Sequence, residues 1–449
     1  MKLFGKKTNQ YPGGTLYGWY ALIGLLLSSC SVTKQISRQA ANILLQDSVI
    51  STGHIGISIY EPATGQYLYN YNATKNFVPA SNTKLFSLYA GLKYLGDSLV
   101  GLRYHGSGDS ITIYPSADPT FLHPGFLRHP VFDFLAGKKY FTYSTQSFTA
   151  ALGQGWGWDD YQEDYMVQRS EFPMYGNLIR IYGSGSAYYS IPANLYLDID
   201  TSIEKYNDTI GFSAGRPWDE NKISLKPNYL KIKKNDTIRL PLFAGLYDMP
   251  RFLMDTLHNK MNFEQSKFKN TDPRLAVIHS QPTDSLLKPM MQNSDNFFAE
   301  QTLLMASNEL LGLMSDQKMI DTLLNTDLRD IPQKPQWADG SGLSRYNLFT
   351  PQSFVYILNK MKNEFGLDRL KNILPTGGQG TLGSYYKKHA GYIFAKTGTL
   401  NNHCALSGFI ITKKNKLFIF SLLAGNYPAG ATPVRRAFEK FLIGLRERY

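Results

Sequence analysis

The sequence predicts an α/β (α+β) fold, a central antiparallel sheet flanked by helices and carrying a large strand-rich insertion. Three observations lead there. Alternating, strand-like runs stand near both ends of the 449 residues, runs of helical apolar periodicity lie between them, and the middle of the chain is rich in alternating segments broken by Pro, Gly and Asn.

Taken in order, His54 to Tyr60 alternates, Pro62-Ala63-Thr64-Gly65 turns, and Tyr67 to Tyr71 returns as a second strand. Beyond Asn76-Phe77-Val78-Pro79-Ala80, the residues Leu85, Tyr89, Leu92 and Leu95 recur at helical spacing, which puts Ser81 at a helix start. From about Gly101 to Arg274 the pattern is strands and loops, including Ser107 to Tyr114 and the aromatic run Gly155-Trp156-Gly157-Trp158-Asp159-Asp160-Tyr161. Trp156 and Trp158 are expected to pack this insert, with stacking on sugars the alternative. Thr283 to Met290 and Asn296 to Leu304 resume the helical pattern. Ile393 to Thr397, Ala405 to Ile411 and Leu417 to Leu423 read as consecutive strands, the last two joined across Lys413-Lys414-Asn415-Lys416. A closing helix runs from Pro433 to Leu445, capped by Thr432. Early and late strands then share one sheet built from both ends of the chain, its two parts being residues 40–100 and 275–449 around an insert at 101–274.

The start carries Lys2, Lys6 and Lys7, a Pro-Gly-Gly break, and the apolar run Leu16 to Leu27, which ends at Ser28-Ser29-Cys30. That run is too short for a hydrocarbon core of about 30 Å and reads as a secretory signal over residues 1–29. Leu27-Ser28-Ser29-Cys30 resembles the lipobox of bacterial lipoproteins, which implies lipidation at Cys30, a short polar tether at 30–39 and a membrane-anchored place in the cell envelope. An ordinary signal peptide that contains a cysteine, and an uncleaved anchor, are the competing readings. Cleavage would remove three lysines and no acids from a chain of formal charge +12, leaving a moderately basic protein suited to anionic envelope polymers. Nucleic acid is a poor partner, since export separates the two and the basic residues are dispersed apart from short runs such as Lys231 to Lys234. Cys404 is the second of two cysteines, so no internal disulfide is expected; its alternating surroundings suggest a packed thiol, and His403 has no metal-ligand spacing around it.

Three short strings carry the chemistry: Ser81-Asn82-Thr83-Lys84, Ser294-Asp295-Asn296 and Lys396-Thr397-Gly398. Ser-x-x-Lys arises by chance roughly once or twice in a chain this long, but the other two strings are expected roughly 0.1 times each, so their occurrence in this order is hard to assign to accident. On a helix Ser81 and Lys84 are neighbours on one face, and the free amides of the first turn favour developing negative charge.

With these strings the chain resembles the low-molecular-mass penicillin-binding proteins of the D-Ala-D-Ala carboxypeptidase/endopeptidase type, peptidase family S13. Ala117-Asp118-Pro119-Thr120, Gly155 to Asp160, Asp339-Gly340-Ser341-Gly342-Leu343-Ser344-Arg345, Gly380-Thr381-Leu382 and Lys396 to Leu400 match as well. The one local departure is Ala117, where relatives tend to have glycine. The resemblance implies a β-lactamase/DD-peptidase-like catalytic domain split by the insert, acting on peptidoglycan stem peptides or cross-links and acylated by β-lactams. It implies no metal and no organic cofactor.

The roles it implies are chemically coherent. A serine hydroxyl needs a base at neutral pH, so Lys84 must be neutral, its pKa depressed by desolvation and by a second cation, Lys396. Ser294 would relay a proton to the leaving amine while Asn296 orients Lys84. The backbone amides of Ser81 and Thr399 would form the oxyanion hole, and Lys396, Thr397, Gly398 and Thr399 would bind the terminal carboxylate and pair along the strand. Asp160, or Asp159, and Arg345 resemble the groups that meet a diaminopimelyl side chain, with a helix-start cap or an internal salt bridge as the alternative. A β-lactamase is the rival enzyme, disfavoured because no Glu-x-x-x-Asn element lies between the second and third strings. A non-catalytic envelope sensor is the rival outside catalysis, disfavoured by an intact nucleophile with its base.

Overall fold

The computed structural model describes residues 32–449, apart from 146–147, 149, 185–186, 194, 201–211, 228–235, 246–247 and 266–268. Cys30, the signal segment and Lys231 to Lys234 lie outside the described residues.

The segment expected as a polar tether is a helix. Residues 32–40 form α1, continued by a wider π-helical turn, Ala41–Leu45. Ile36, Ala40 and Leu44, four apart, point one way and are fully buried, and the Gln39 amide donates to the Phe441 carbonyl.

Both ends of the chain build one antiparallel sheet. Its strands are β1 (His54–Glu61) and β2 (Gln66–Tyr71) from the front and, numbered after the eleven strands of the insert, β14 (Ile393–Leu400), β15 (His403–Ile411) and β16 (Leu417–Gly425); the order is β14-β15-β16-β1-β2. The ends meet where β1 pairs with β16, from His54 opposite Gly425 to Tyr60 opposite Ile419. The central strand β16 is apolar apart from Ser421 because helices cover both faces. Ile419 and Leu423 enter the core shared with α2 (Lys84–Tyr94), α5 (Thr283–Gln292), α6 (Asn296–Leu311), α7 (Asp316–Asn325), α8 (Pro351–Phe365) and α9 (Leu367–Ile373). Phe418, Phe420 and Leu422 face α1 and α10 (Ala431–Arg448) instead. Helix α10 begins earlier than its sequence suggested, with Gly430 at the N-cap and no side-chain cap from Thr432. Helix α2 has no exposed face over Lys84 to Leu92, since α5, α6 and α8 surround it.

The insert is strand-rich. Strands β3 (Ser98–Ser107), β4 (Ser110–Tyr114), β5 (Tyr140–Thr145), β12 (Met261–Gln265) and β13 (Ala276–Pro282) form a sheet in the order β12-β5-β4-β3-β13. Three strands, β6 (Leu178–Ser184), β7 (Ala187–Ile191) and β11 (Asp236–Pro241), make a second sheet. A third holds β8 (Leu197–Ile199), β9 (Phe212–Gly215) and β10 (Ile223–Pro227). Two short helices, α3 (Pro130–Ala136) and α4 (Asp248–Leu257), complete this part. Because β3 pairs with β13, the sheet reaches from Ser98 to Pro282, a few residues beyond both limits read from the sequence. Ala117 sits at φ +63°, in the left-handed region that glycine enters freely.

Candidate active site

Ser81 lies on a 3₁₀ turn, Ala80–Thr83, that feeds directly into α2. The turn is fixed from two sides. Ala80 adopts φ +48°, and Gly342, at φ +80°, passes so close that a Cβ there would stand 1.9 Å from the Ala80 carbonyl oxygen. On the other side the Asn82 amide nitrogen donates to the Lys396 carbonyl at 2.7 Å and its oxygen accepts from the Ser407 amide at 3.2 Å, pinning the turn to β14 and β15.

One helical step on, the fully buried Lys84 Nζ donates to Ser81 Oγ at 2.9 Å, to Asn296 Oδ1 at 2.6 Å and to the Ser341 carbonyl at 2.7 Å. Burial pulls its pKa down to about 8, against the opposing pull of Asp339, Asp295 and Glu300. Lys396 was expected to depress Lys84; burial is the leading cause, and the depression by charge runs the other way. Lys396, itself buried, is held well below the usual lysine range by desolvation first, then by Lys84 and Arg435. Its Nζ donates to Ser294 Oγ at 2.8 Å and to the Thr397 carbonyl at 2.7 Å.

The middle string sits at a helix start. Ser294 takes φ +60°, which aims its hydroxyl at Lys396. Asp295 caps α6 by accepting from the Phe298 amide at 2.9 Å, and burial raises its carboxyl. Asn296 opens α6, with its Oδ1 on Lys84 and its Nδ2 donating to the Tyr165 carbonyl of the insert at 2.9 Å. The three strings therefore converge: Ser81, Lys84 and Asn296 form one hydrogen-bonded group and Ser294 with Lys396 a second, near enough that the charge of Lys84 acts on Lys396.

Strand β14 is an edge of the sheet and runs past the Ser81 turn. Gly398 permits that approach, because a Cβ there would lie 2.5 Å from the Pro79 carbonyl oxygen. Thr397 is buried, whereas Thr399 is exposed and its Oγ1 accepts from Arg435 Nη2 of α10 at 2.5 Å.

Asp160 and Arg345 stand apart from this group. Asp160 lies on a short 3₁₀ turn, Trp158–Asp160, that has no side-chain cap, and it accepts from the Tyr165 hydroxyl at 2.8 Å. Arg345 Nη2 donates to the Asn401 carbonyl at 3.3 Å, just past β14. Among the described residues neither side chain hydrogen-bonds Ser81, Lys84, Ser294 or Lys396. Trp158 is 75 % exposed, so it does not pack the insert. Trp156 crosses to the catalytic part, its indole N–H donating to Asp339 Oδ2 at 2.9 Å.

Asp339 organises its turn, accepting from the Gly342 amide at 2.8 Å and the Ser344 amide at 2.7 Å. Sequence reasoning missed its neighbours. Glu300 accepts from the Ser341 amide at 2.7 Å, and burial with Asp339 pushes its pKa up to about 7. Arg169, reaching in from the insert, donates to Asp316 at 2.5 Å and Glu300 at 3.4 Å. These residues sit in no motif, and Glu300, a charge next to the apolar run Phe297-Phe298-Ala299, was the only available signal. Cys404 is a buried thiol raised to about 11 by burial, in agreement with a packing role.

A lysine-paired serine at the head of a buried helix, beside an edge strand of a sheet built from both chain ends, defines the β-lactamase/DD-peptidase fold class. Within it, residues 37–121 and 252–443 match the D-Ala-D-Ala carboxypeptidase 3 (S13) family, more than half of the chain, and the chain belongs to that family. It is 23% identical over 459 residues to the D-alanyl-D-alanine carboxypeptidase of Actinomadura sp. strain R39, covering 88% of this chain and 82% of the relative. Shorter matches are to carboxypeptidase DacB of Mycolicibacterium smegmatis, at 30% over 173 residues, 36% of this chain and 37% of that protein. The D-alanyl-D-alanine carboxypeptidase DacB of Haemophilus influenzae is 31% identical over 169 residues, 35% of this chain. In these two matches the chain spans about a third of the relatives' length, 37% and 34%. The fold is similar to that of penicillin binding protein 4 from Haemophilus influenzae, with TM-score 0.71 at 19% identity over 92% of this chain and 99% of that one.

Proposed function

We propose that this protein is a serine D-Ala-D-Ala carboxypeptidase, and also a DD-endopeptidase, that cleaves peptidoglycan stem peptides and cross-links through an acyl-enzyme on Ser81. The observation that carries the reading is the position of the Lys84 amine, 2.9 Å from Ser81 Oγ and shielded from water. Family membership supports the substrate class, and several relatives bear the name D-alanyl-D-alanine carboxypeptidase.

In the reaction, neutral Lys84 accepts the Ser81 proton as Oγ attacks the carbonyl carbon of the penultimate D-alanine. The oxyanion is held by the Ser81 and Thr399 backbone amides. As the C–N bond breaks, the proton passes through Ser294, held by Lys396, to the departing amine. Asn296 fixes Lys84 and the peptide. Water then attacks the Ser81 ester, giving its proton to Lys84, which returns it to Ser81 Oγ as the ester C–O bond breaks and the acid product leaves. A β-lactam, whose carboxylate and amide imitate the same peptide end, acylates Ser81 and leaves it blocked. Asp160 with Arg345 would meet the side chain of the third stem residue. The same reading includes export and lipidation at Cys30; no described helix is long and apolar enough to cross a membrane.

The test is the intact mass of a soluble form lacking residues 1–30 after incubation with benzylpenicillin. A single persistent adduct is expected on the parent and absent from Ser81→Ala. Rapid drug hydrolysis without adduct would turn the reading to a β-lactamase, and neither adduct nor hydrolysis would turn it to an envelope sensor.

A further inference from the structure

A substrate that ends in a free carboxylate needs a lasting positive charge where that carboxylate lies, and neither lysine of the site supplies one well. Lys84 has its donors on Ser81, Asn296 and Ser341, and it must lose its proton to act as a base. Lys396 is fully buried and spends its donors on Ser294 and its own strand. Burial draws both toward the neutral amine.

Arg435 belongs to no motif. Helix α10 brings it to the outer end of β14, where its Nη2 donates to Thr399 Oγ1 at 2.5 Å. Its guanidinium carbon lies 5.9 Å from the Tyr385 ring centre, and with Thr397, Cys404 and Tyr385 it lines a small surface pocket. Its neighbour Arg436 is paired with Glu439 at 2.5 Å. Among the described residues no such carboxylate pairs with Arg435, and its buried Nε finds no hydrogen-bond acceptor. A guanidinium without a carboxylate partner, bonded to Thr399 and lining the same pocket as Thr397 of the substrate strand, has the donors a carboxylate accepts from.

We propose that Arg435 is the carboxylate anchor of this site, pairing with the C-terminal carboxylate of the peptide between the Thr397 and Thr399 hydroxyls, so that a free carboxylate raises turnover well above that of the same peptide with its end neutralised. This rests on the peptidase reading given above. It moves the counter-charge from Lys396, inside the proton-transfer group, to a side chain outside it. Acid–base work and anion recognition are thereby divided between different cations.

The alternative is that Arg435 only holds Thr399 in place, and the substrate itself can separate the two. Turnover is compared on a D-Ala-D-Ala peptide and on the same peptide with a C-terminal amide, for the parent, Arg435→Gln and Arg435→Lys. The parent should prefer the acid strongly. Arg435→Gln should lose about 100-fold in kcat/KM on the acid while changing little on the amide, and Arg435→Lys should recover part of the preference. Amide turnover reports in the same tube that the variant is folded. Equal losses on both peptides in both variants, or an unchanged acid-to-amide ratio, would overturn the anchor and leave the peptidase reading standing. A parent that cleaves neither peptide and takes no penicillin would overturn both.

Discussion

Lys84 sets the pH response at the scale of the residue. With its pKa held near 8 by burial, the amine is protonated and useless as a base in acid, and becomes competent as pH rises through that value. The rate of Ser81 acylation by benzylpenicillin, followed by mass against time, should therefore climb with pH and level off above about 8. Lys84→Arg, charged at every pH, should lower the rate by more than about 100-fold and remove that limb; a limb that persists would assign it to another group. The contact itself was legible, because three residues of helical separation place a serine and a lysine on one face. The cause of the shift was not. It depends on burial and on Asp339, Asp295 and Glu300, two of which lie outside the three motifs: Glu300 reaches Lys84 through the packing of α6 against α2, and Asp339 through the loop between α7 and α8. Arg435 was illegible for a like reason, since only a helix crossing the back of the sheet brings it to Thr399.

At the scale of the element, strand β14 and the Ser81 turn work as a pair whose spacing is set by the absence of a side chain at Gly398. A methyl group there would press on the Pro79 carbonyl oxygen, 2.5 Å away, and on the Asn82 amide at 3.1 Å. Gly398→Ala should cost about 1 to 3 kcal/mol of stability in denaturant titration and slow acylation, because the turn and the strand must separate. Acylation at the parental rate would mean that the turn yields without disturbing Ser81. The strands of this sheet were readable from their alternation and from the turns between them. Less readable was helix α1. Its apolar positions Ile36, Ala40 and Leu44 keep a four-residue spacing, yet they are sparse among polar residues, and the preceding export-like segment invited a tether. The total burial of α2 was also hidden, since periodicity reports one apolar face and says nothing of a helix enclosed on all sides.

On the scale of the whole molecule, the insert is joined to the catalytic part by buried polar contacts as well as by the chain. Arg169 satisfies Glu300 and Asp316, and Trp156 reaches Asp339. Gln301 donates to the Ala117 and Ser170 carbonyls, and Arg103 pairs with Glu309 through two bonds of 2.9 and 2.6 Å. Arg169→Met would leave two buried carboxylates without their cation. It should cost about 3 to 5 kcal/mol, read as a lower melting temperature, with a loss of acylation as the Ser341 turn over Lys84 loosens. An unchanged melting temperature would mean the carboxylates are satisfied without it. The two-ended sheet was foreseeable from the order of strands, whereas this junction, made of single residues far apart in sequence, was not. That sheet also bears on how the molecule is made. Ser81 emerges early in synthesis, but its partner Lys396 and the strand β16 that locks β1 arrive near the end. A nascent chain would thus carry Ser81 before Lys396 is beside it, and the site would be complete only once β14 to β16 have been made. Ribosome stalling or proteolysis before Leu417 would yield inert chains with two bare sheet edges, at β1 and β15, open to aggregation.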